Sequence, residues 1–159
     1  MNQALITPAQ FPELQAVWQR QNLKIVLTNG CFDLLHAGHL RTFCEAKKLG
    51  DLLVVGLNSD RSVRGLKGET RPLVRETDRA LLVSALKPVD YVTIFDEPTA
   101  SDLLLALRPH VYVKGGDYSL ENLPERQAIL EIGAQTVFVP LVEGISTSEL
   151  VKKIRSANM

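Results

Sequence analysis

The chain has 159 residues, of which 45% are apolar and 23% charged, and its eighteen basic residues balance eighteen acidic ones. That is enough for one domain with its own core and too apolar for a disordered chain. Zero net charge argues against a surface built to grip nucleic acid, so any polyanion it binds should be small and held locally.

The opening residues, MNQALITPAQF, lack a basic cluster followed by an apolar core, and no apolar run approaches the roughly 20 residues that span a bilayer. Cys31 and Cys44 have neither CxxC nor zinc-ribbon spacing. A protein of a reducing cytoplasm, without disulfide or membrane contact, is expected.

Behind Thr7-Pro8, Phe11, Leu14, Val17 and Trp18 share one helical face. They predict a helical extension over residues 1–22 that packs on the body. From Lys24 onward, β-branched apolar runs alternate with helical patterns. KIVLT (24–28), LLVVGL (52–57), YVTIF (91–95), VYVK (111–114) and TVFVP (136–140) read as strands buried on both faces. Helices are predicted over 37–49, 77–86, 101–107 and 124–132. Ser146 with Glu149 makes a capping box that starts a last helix, running to about Arg155. The alternation predicts an α/β fold: a Rossmann-like open sheet, mainly five parallel strands, with helices on both faces. Residues 1–159 are expected to form a single domain.

After the first strand comes TNGCFDLLHAGHL, residues 28–40. Ligands of open α/β sheets bind beyond the carboxyl ends of the strands. Gly30 permits a sharp turn and Gly38 a close approach, and a helix starting near His36–Ala37 would offer amide donors and a positive dipole end. His36 and His39, at i and i+3, face one side of that helix. Together they describe a phosphate cradle. Three other readings stand beside it: two ordinary half-buried histidines, a metal site using Asp33, His36 and His39, and nucleophilic catalysis through Cys31.

Residues 58–76, NSDRSVRGLKGETRPLVRE, show no clear periodicity and carry Arg61, Arg64, Lys67, Arg71 and Arg75. A long cationic loop of this kind reads as a lid or binding loop. Further on, VKGGDY ends a strand at Lys114. A carboxylate (Asp117) and a phenol (Tyr118) there can bond sugar hydroxyls, while Lys114 can meet a phosphate.

GCFDLLHAGH resembles the GxFDxxHxGH signature of the cytidylyltransferase-like nucleotidyltransferases. EGISTSEL, residues 143–150, resembles that family's second element, and the likeness runs from about Leu23 onward through NSDRSVRGLKGETRP and VKGGDY. The combination looks most like the branch that makes ADP-heptose from heptose 1-phosphate, in its free-standing form rather than fused to a kinase. The resemblance implies transfer of the AMP moiety of ATP to a sugar 1-phosphate, with Mg²⁺ carried by the triphosphate and no dedicated metal ligand. His36, His39 and Lys67 would be catalytic. Gly30, Cys31, Phe32, Asp33 and Gly38, with Gly144, Ile145, Ser146, Thr147 and Ser148, would hold the nucleotide. Arg71, Arg79, Lys114, Asp117 and Tyr118 would hold the substrate phosphates and sugar, and Arg64 is a weaker candidate. Related cytidylyltransferases carry Arg-Thr where Leu141 and Val142 stand, which fits adenylyl better than cytidylyl transfer. A CTP-dependent enzyme acting on glycerol 3-phosphate or a phosphorylated amino alcohol, a metal-dependent hydrolase and a non-catalytic nucleotide sensor remain alternatives, and a homodimer or higher homo-oligomer stays open.

Overall fold

The computed structural model describes residues 4–116, 118–140, 144 and 146–157. Five strands, β1 (Ile25–Gly30), β2 (Leu52–Asn58), β3 (Tyr91–Phe95), β4 (Val111–Gly115) and β5 (Gln135–Val139), form one parallel sheet in the order β3-β2-β1-β4-β5. The chain builds outward from β1 through β2 to β3, then returns to the other side of β1 with β4. The strand order therefore reverses between β1 and β4.

The continuous apolar runs of β1, β2 and β4 have a simple cause, since both faces of the sheet are covered there, whereas the edge strand β5, expected to be buried on both faces, is fully buried only at Val139. Along β1, Ile25 and Leu27 enter one core with Trp18, Leu104, Tyr112 and Ile129, whereas Val26 enters the other with Phe43, Leu53, Val83 and Val113. The first core lies under α1 (Phe11–Arg20), α5 (Ser101–Leu107) and α6 (Arg126–Ile132); the second lies under α2 (Ala37–Lys47) and α4 (Glu76–Ser84). As predicted, α1 packs through Phe11 and Trp18, 1% and 3% exposed. A final helix, α7, covers Thr147–Ala157.

The cationic segment corrects the sequence reading. Asp60–Lys67 is a helix, α3, and not structureless loop. Ser59 caps it by accepting the Ser62 N–H at 3.1 Å, and Gly68 ends it at φ 95°. Its buried residues are Ser62 and Val63, so the apolar stripe that reveals a helix in sequence is missing. The irregular stretch shrinks to the residues between Gly68 and Arg75.

Candidate active site

A cavity of ≈ 420 Å³ opens at the carboxyl ends of β1 and β4, where the strand order reverses. Thr28, Asn29 and Gly30 of β1 line it beside Lys114 and Gly115 of the neighbouring β4.

The turn after β1 shapes its floor. A Cβ on Gly30 would stand 2.9 Å from Phe32 Cζ, so glycine lets the Phe32 ring fold back over the strand end. Phe32 holds φ at 48°, unusual for an aromatic residue. Its ring meets His39 edge-on at 5.1 Å and Phe43 at 5.0 Å. The turn, the second histidine and the helix core are thus one packed unit.

His36 is the N-cap of α2, its Nδ1 accepting the Gly38 N–H at 3.1 Å. That bond leaves the proton of a neutral imidazole on Nε2. The His39 and Leu40 amides both bond the His36 carbonyl. With the Gly38, His39 and Leu40 amides satisfied inside the turn, the helix N-terminus offers fewer donors than the sequence indicates, and the imidazoles carry more of the cradle. Burial lowers the pKa of His36. His39 is pushed down to about 4, by burial first, then by the neighbouring His36 and by the Lys67 ammonium. His39 Nδ1 is buried without a hydrogen-bond partner, and His39 lines the cavity.

Asp33 is 3% exposed, and its partners are not the histidines. Its Oδ1 accepts the Leu73 and Val74 N–H groups at 2.7 and 3.0 Å, and its Oδ2 lies 2.8 Å from Arg71 Nε, an ion pair without hydrogen-bond alignment. The carboxylate therefore clamps the segment after α3 to the turn. Among the described residues no cluster of three His, Cys, Asp or Glu could hold a metal ion. The nucleophile reading finds little support: burial raises the Cys31 thiol, keeping it protonated at neutral pH.

Arg79 departs from its expected role. It is 1% exposed, and its guanidinium donates to the carbonyls of Val74, Cys31 and Asn58 and to Asp60 Oδ1. With four of its five N–H donors engaged by the framework, it braces the wall of the site instead of facing a phosphate. Lys67 and Arg71 do line the cavity, whereas Arg64 faces a separate groove. Lys114 sits with Nζ 3.3–3.5 Å from Tyr112 Oη, Glu125 Oε1 and Asn29 Oδ1, and 5.7 Å from the Tyr118 ring centroid. Thr147 also lines the cavity and donates to the Leu34 carbonyl at 3.4 Å. Ser146 Oγ caps α7 through the Glu149 N–H at 3.1 Å, while Gly144 and Ser148 are exposed. Asp117 and Ile145 lie outside the described residues.

Sequence reasoning missed Asn29, Tyr112 and Glu125, which form a buried polar cluster around Lys114. Glu125 reads in sequence as an ordinary acid at a helix start. Only the packing of α6 against the cavity brings it to the site.

The family model described as cytidylyltransferase-like matches residues 27–153, spanning both histidines, α3, Lys114 and Thr147. The chain belongs to the cytidylyltransferase-like family. It is a nucleotidyltransferase on this footing, and both histidines and the strand-order reversal lie within the matched span. It is 48% identical to the "bifunctional protein HldE" of Koribacter versatilis over 149 residues, 94% of this chain and 31% of that one. With HldE of Pelobacter propionicus it shares 50% over 131 residues, 82% of this chain and 27% of the other. The chain thus spans under a third of these curated relatives. A lipopolysaccharide core biosynthesis protein from Thermoplasma volcanium superimposes with TM-score 0.61 at 30% identity, covering 76% of this chain and 97% of that one. A pantoate–β-alanine ligase from Francisella tularensis gives TM-score 0.64 at 14% identity, covering 98% and 78%, a likeness of fold alone.

Proposed function

We propose that this nucleotidyltransferase moves the AMP moiety of ATP onto D-glycero-D-manno-heptose 1-phosphate, giving ADP-heptose and pyrophosphate. The observation that carries the reading is a stacked pair of neutral imidazoles, ring centroids 3.8 Å apart, of which His39 lines the cavity together with Lys67 and Lys114. The identity with HldE and the likeness to a lipopolysaccharide core biosynthesis protein support the choice of acceptor. A cytoplasmic location belongs to the same proposal. Among the described residues no helix is long and apolar enough to cross a membrane.

In this reading an oxygen of the sugar phosphate attacks the α-phosphorus. A new P–O bond forms as the bond to the β-phosphate bridge breaks, and pyrophosphate leaves with the electron pair. No covalent enzyme intermediate is required. The residues act by positioning and by donors aimed at oxygens that gain charge in the transition state. His36 Nε2–H and His39 face the triphosphate, Lys67 meets the leaving pyrophosphate, and Lys114 draws the acceptor phosphate to the β4 side. Thr147 and its helix start hold the nucleotide opposite the Gly30–Asp33 turn.

Mg²⁺ is expected to arrive on the triphosphate oxygens. Among the described residues the carboxylates lining the cavity are Asp33 and Glu125; Asp33 is engaged by amides and Arg71, and Glu125 is engaged through Oε1 by the Ala100 amide and Lys114. One unengaged carboxylate oxygen beside the Lys114 ammonium does not fit an ion held by the protein, and no step is assigned to one.

The test is pyrophosphate release with heptose 1-phosphate, offering ATP and CTP in parallel. Release with ATP alone is the expected result. Release with CTP alone overturns the adenylyl assignment, and release with neither removes heptose 1-phosphate as the acceptor.

A further inference from the structure

One cavity group has no task in the mechanism above. Glu125, the N-cap of α6, is 2% exposed yet lines the cavity. Its Oε1 accepts the Ala100 N–H at 3.1 Å, tying the start of α5 to the start of α6, and stands 3.4 Å from Lys114 Nζ. Its Oε2 is buried and receives no hydrogen bond. An ionised carboxylate is purely an acceptor, and a buried oxygen left without a donor is costly. Such an atom on a residue that lines the cavity calls for a donor from the ligand.

The surroundings define that donor. An anionic phosphate is repelled by the carboxylate and has Lys114, Lys67 and the imidazoles to go to. A second ammonium is disfavoured because Lys114 already sits on Oε1. A neutral hydroxyl satisfies the oxygen without adding charge. The Glu125 charge, after burial, is the next cause of the raised pKa of Tyr112, and a side-chain contact between the two adds to it, so that phenol stays protonated. Tyr112 Oη in turn lies 2.6 Å from Asn29 Oδ1, a donor position directed to the asparagine. Pro124 and the Tyr118 ring stand beside Lys114 on the same wall.

We propose that Glu125 Oε2 accepts a hydrogen bond from a hydroxyl of the phosphorylated acceptor, making Glu125 a specificity determinant for polyhydroxylated acceptors. Lys114 then holds the phosphate end and Glu125 a hydroxyl a few ångströms away. A phosphate ester lacking that hydroxyl leaves the carboxylate oxygen unmet. The inference rests on the nucleotidyl-transfer reading but not on the acceptor being a heptose.

The experiment uses pyrophosphate release with ATP and a panel of acceptors: heptose 1-phosphate, other sugar 1-phosphates, and glycerol 3-phosphate. The best acceptor is then taken into E125Q, which keeps the size and can keep the Ala100 bond while turning Oε2 into a donor. The expected result is a rise of about tenfold or more in the acceptor KM, the loss of one charge-assisted hydrogen bond, with the ATP KM unchanged. Inorganic phosphate, used as a competitor of the acceptor, should inhibit both proteins equally. An equal rise for inorganic phosphate would mean that Glu125 merely positions Lys114, and overturns the proposal. An unchanged acceptor KM does the same. Should E125Q melt well below the parent, the parent protein decides the matter with monodeoxy acceptors. One of them must show a KM raised about tenfold, and equal KM values across the series overturn the inference. If glycerol 3-phosphate or another sugar phosphate proves the acceptor, the heptose assignment falls while the Glu125 test proceeds unaltered.

Discussion

The imidazoles of His36 and His39 lie face to face, centroids 3.8 Å apart and planes inclined by 21°. Two cations could not be held in that stack, so the pair operates as neutral donors until a polyanion arrives. His39, pushed down to about 4, lies well below the usual histidine value near 6.5. Between those limits the unfolded chain binds more protons than the folded one, so folding stability rises with pH from about 4 to 6.5 and levels off above. The downward direction for His36 adds to the same slope. Urea midpoints at pH 5 and pH 7 should differ more in the parent than in H39Q; equal differences would show that His39 does not titrate as its burial implies.

Removing the buried donor should affect the chemical step more than nucleotide binding. H39A is expected to lower turnover about 10²–10³-fold, roughly 2.7–4 kcal/mol in the barrier, as when an oxyanion donor is lost. Steady-state kinetics with saturating ATP and acceptor measure it. Turnover close to the parent's would remove His39 from the mechanism.

The Asp33 clamp should be visible in stability. Asp33 and Arg71 are 1% and 15% exposed at the side chain, and the carboxylate also holds two amides. D33A leaves a largely buried guanidinium and two donors without their acceptor. A loss of about 3–5 kcal/mol is expected, the range for breaking a buried pair by deleting one partner. Chemical denaturation checks it; a loss under about 1 kcal/mol would place the pair among exposed, weakly contributing bridges.

Arg79 and Lys67 should separate cleanly. Arg79 is enclosed and spends its guanidinium on three carbonyls and Asp60, so R79A should destabilise by several kcal/mol, about 3–5 on the same scale. Lys67 is exposed at the end of α3, and K67A should leave stability within about 0.5 kcal/mol while lowering turnover or raising the ATP KM. Melting curves and kinetics on both variants make the comparison. A stable, catalytically impaired R79A would return Arg79 to the substrate-binding set.

The α/β alternation and the strand positions were legible because burial on both sheet faces demands uninterrupted apolar runs such as Ile25–Leu27 and Leu53–Val55. The N-terminal helix was legible from the spacing of Phe11 and Trp18. Helix α3 was not, because its stability comes from the Ser59 cap and its contact through Val63, and not from a long apolar face. The difference between Lys67 and Arg79 was equally invisible, since both are basic residues near the same motif.

What the sequence by itself determined is the chemistry available at the end of β1: two imidazoles at i and i+3, glycine at Gly30, and a helix start. Local rules of turns and helix faces suffice for that, because the residues involved are neighbours in the chain. Only the tertiary structure decided which distant groups serve the site. Parallel pairing of β1 with β4 brings Lys114 to the strand end beside Asn29, and the α5–α6 contact carries Glu125 to the cavity with one oxygen unmet. The folding of α4 buries Arg79 behind the wall. Long-range packing assigns donors and acceptors across the chain, and spacing along the sequence carries no record of that assignment.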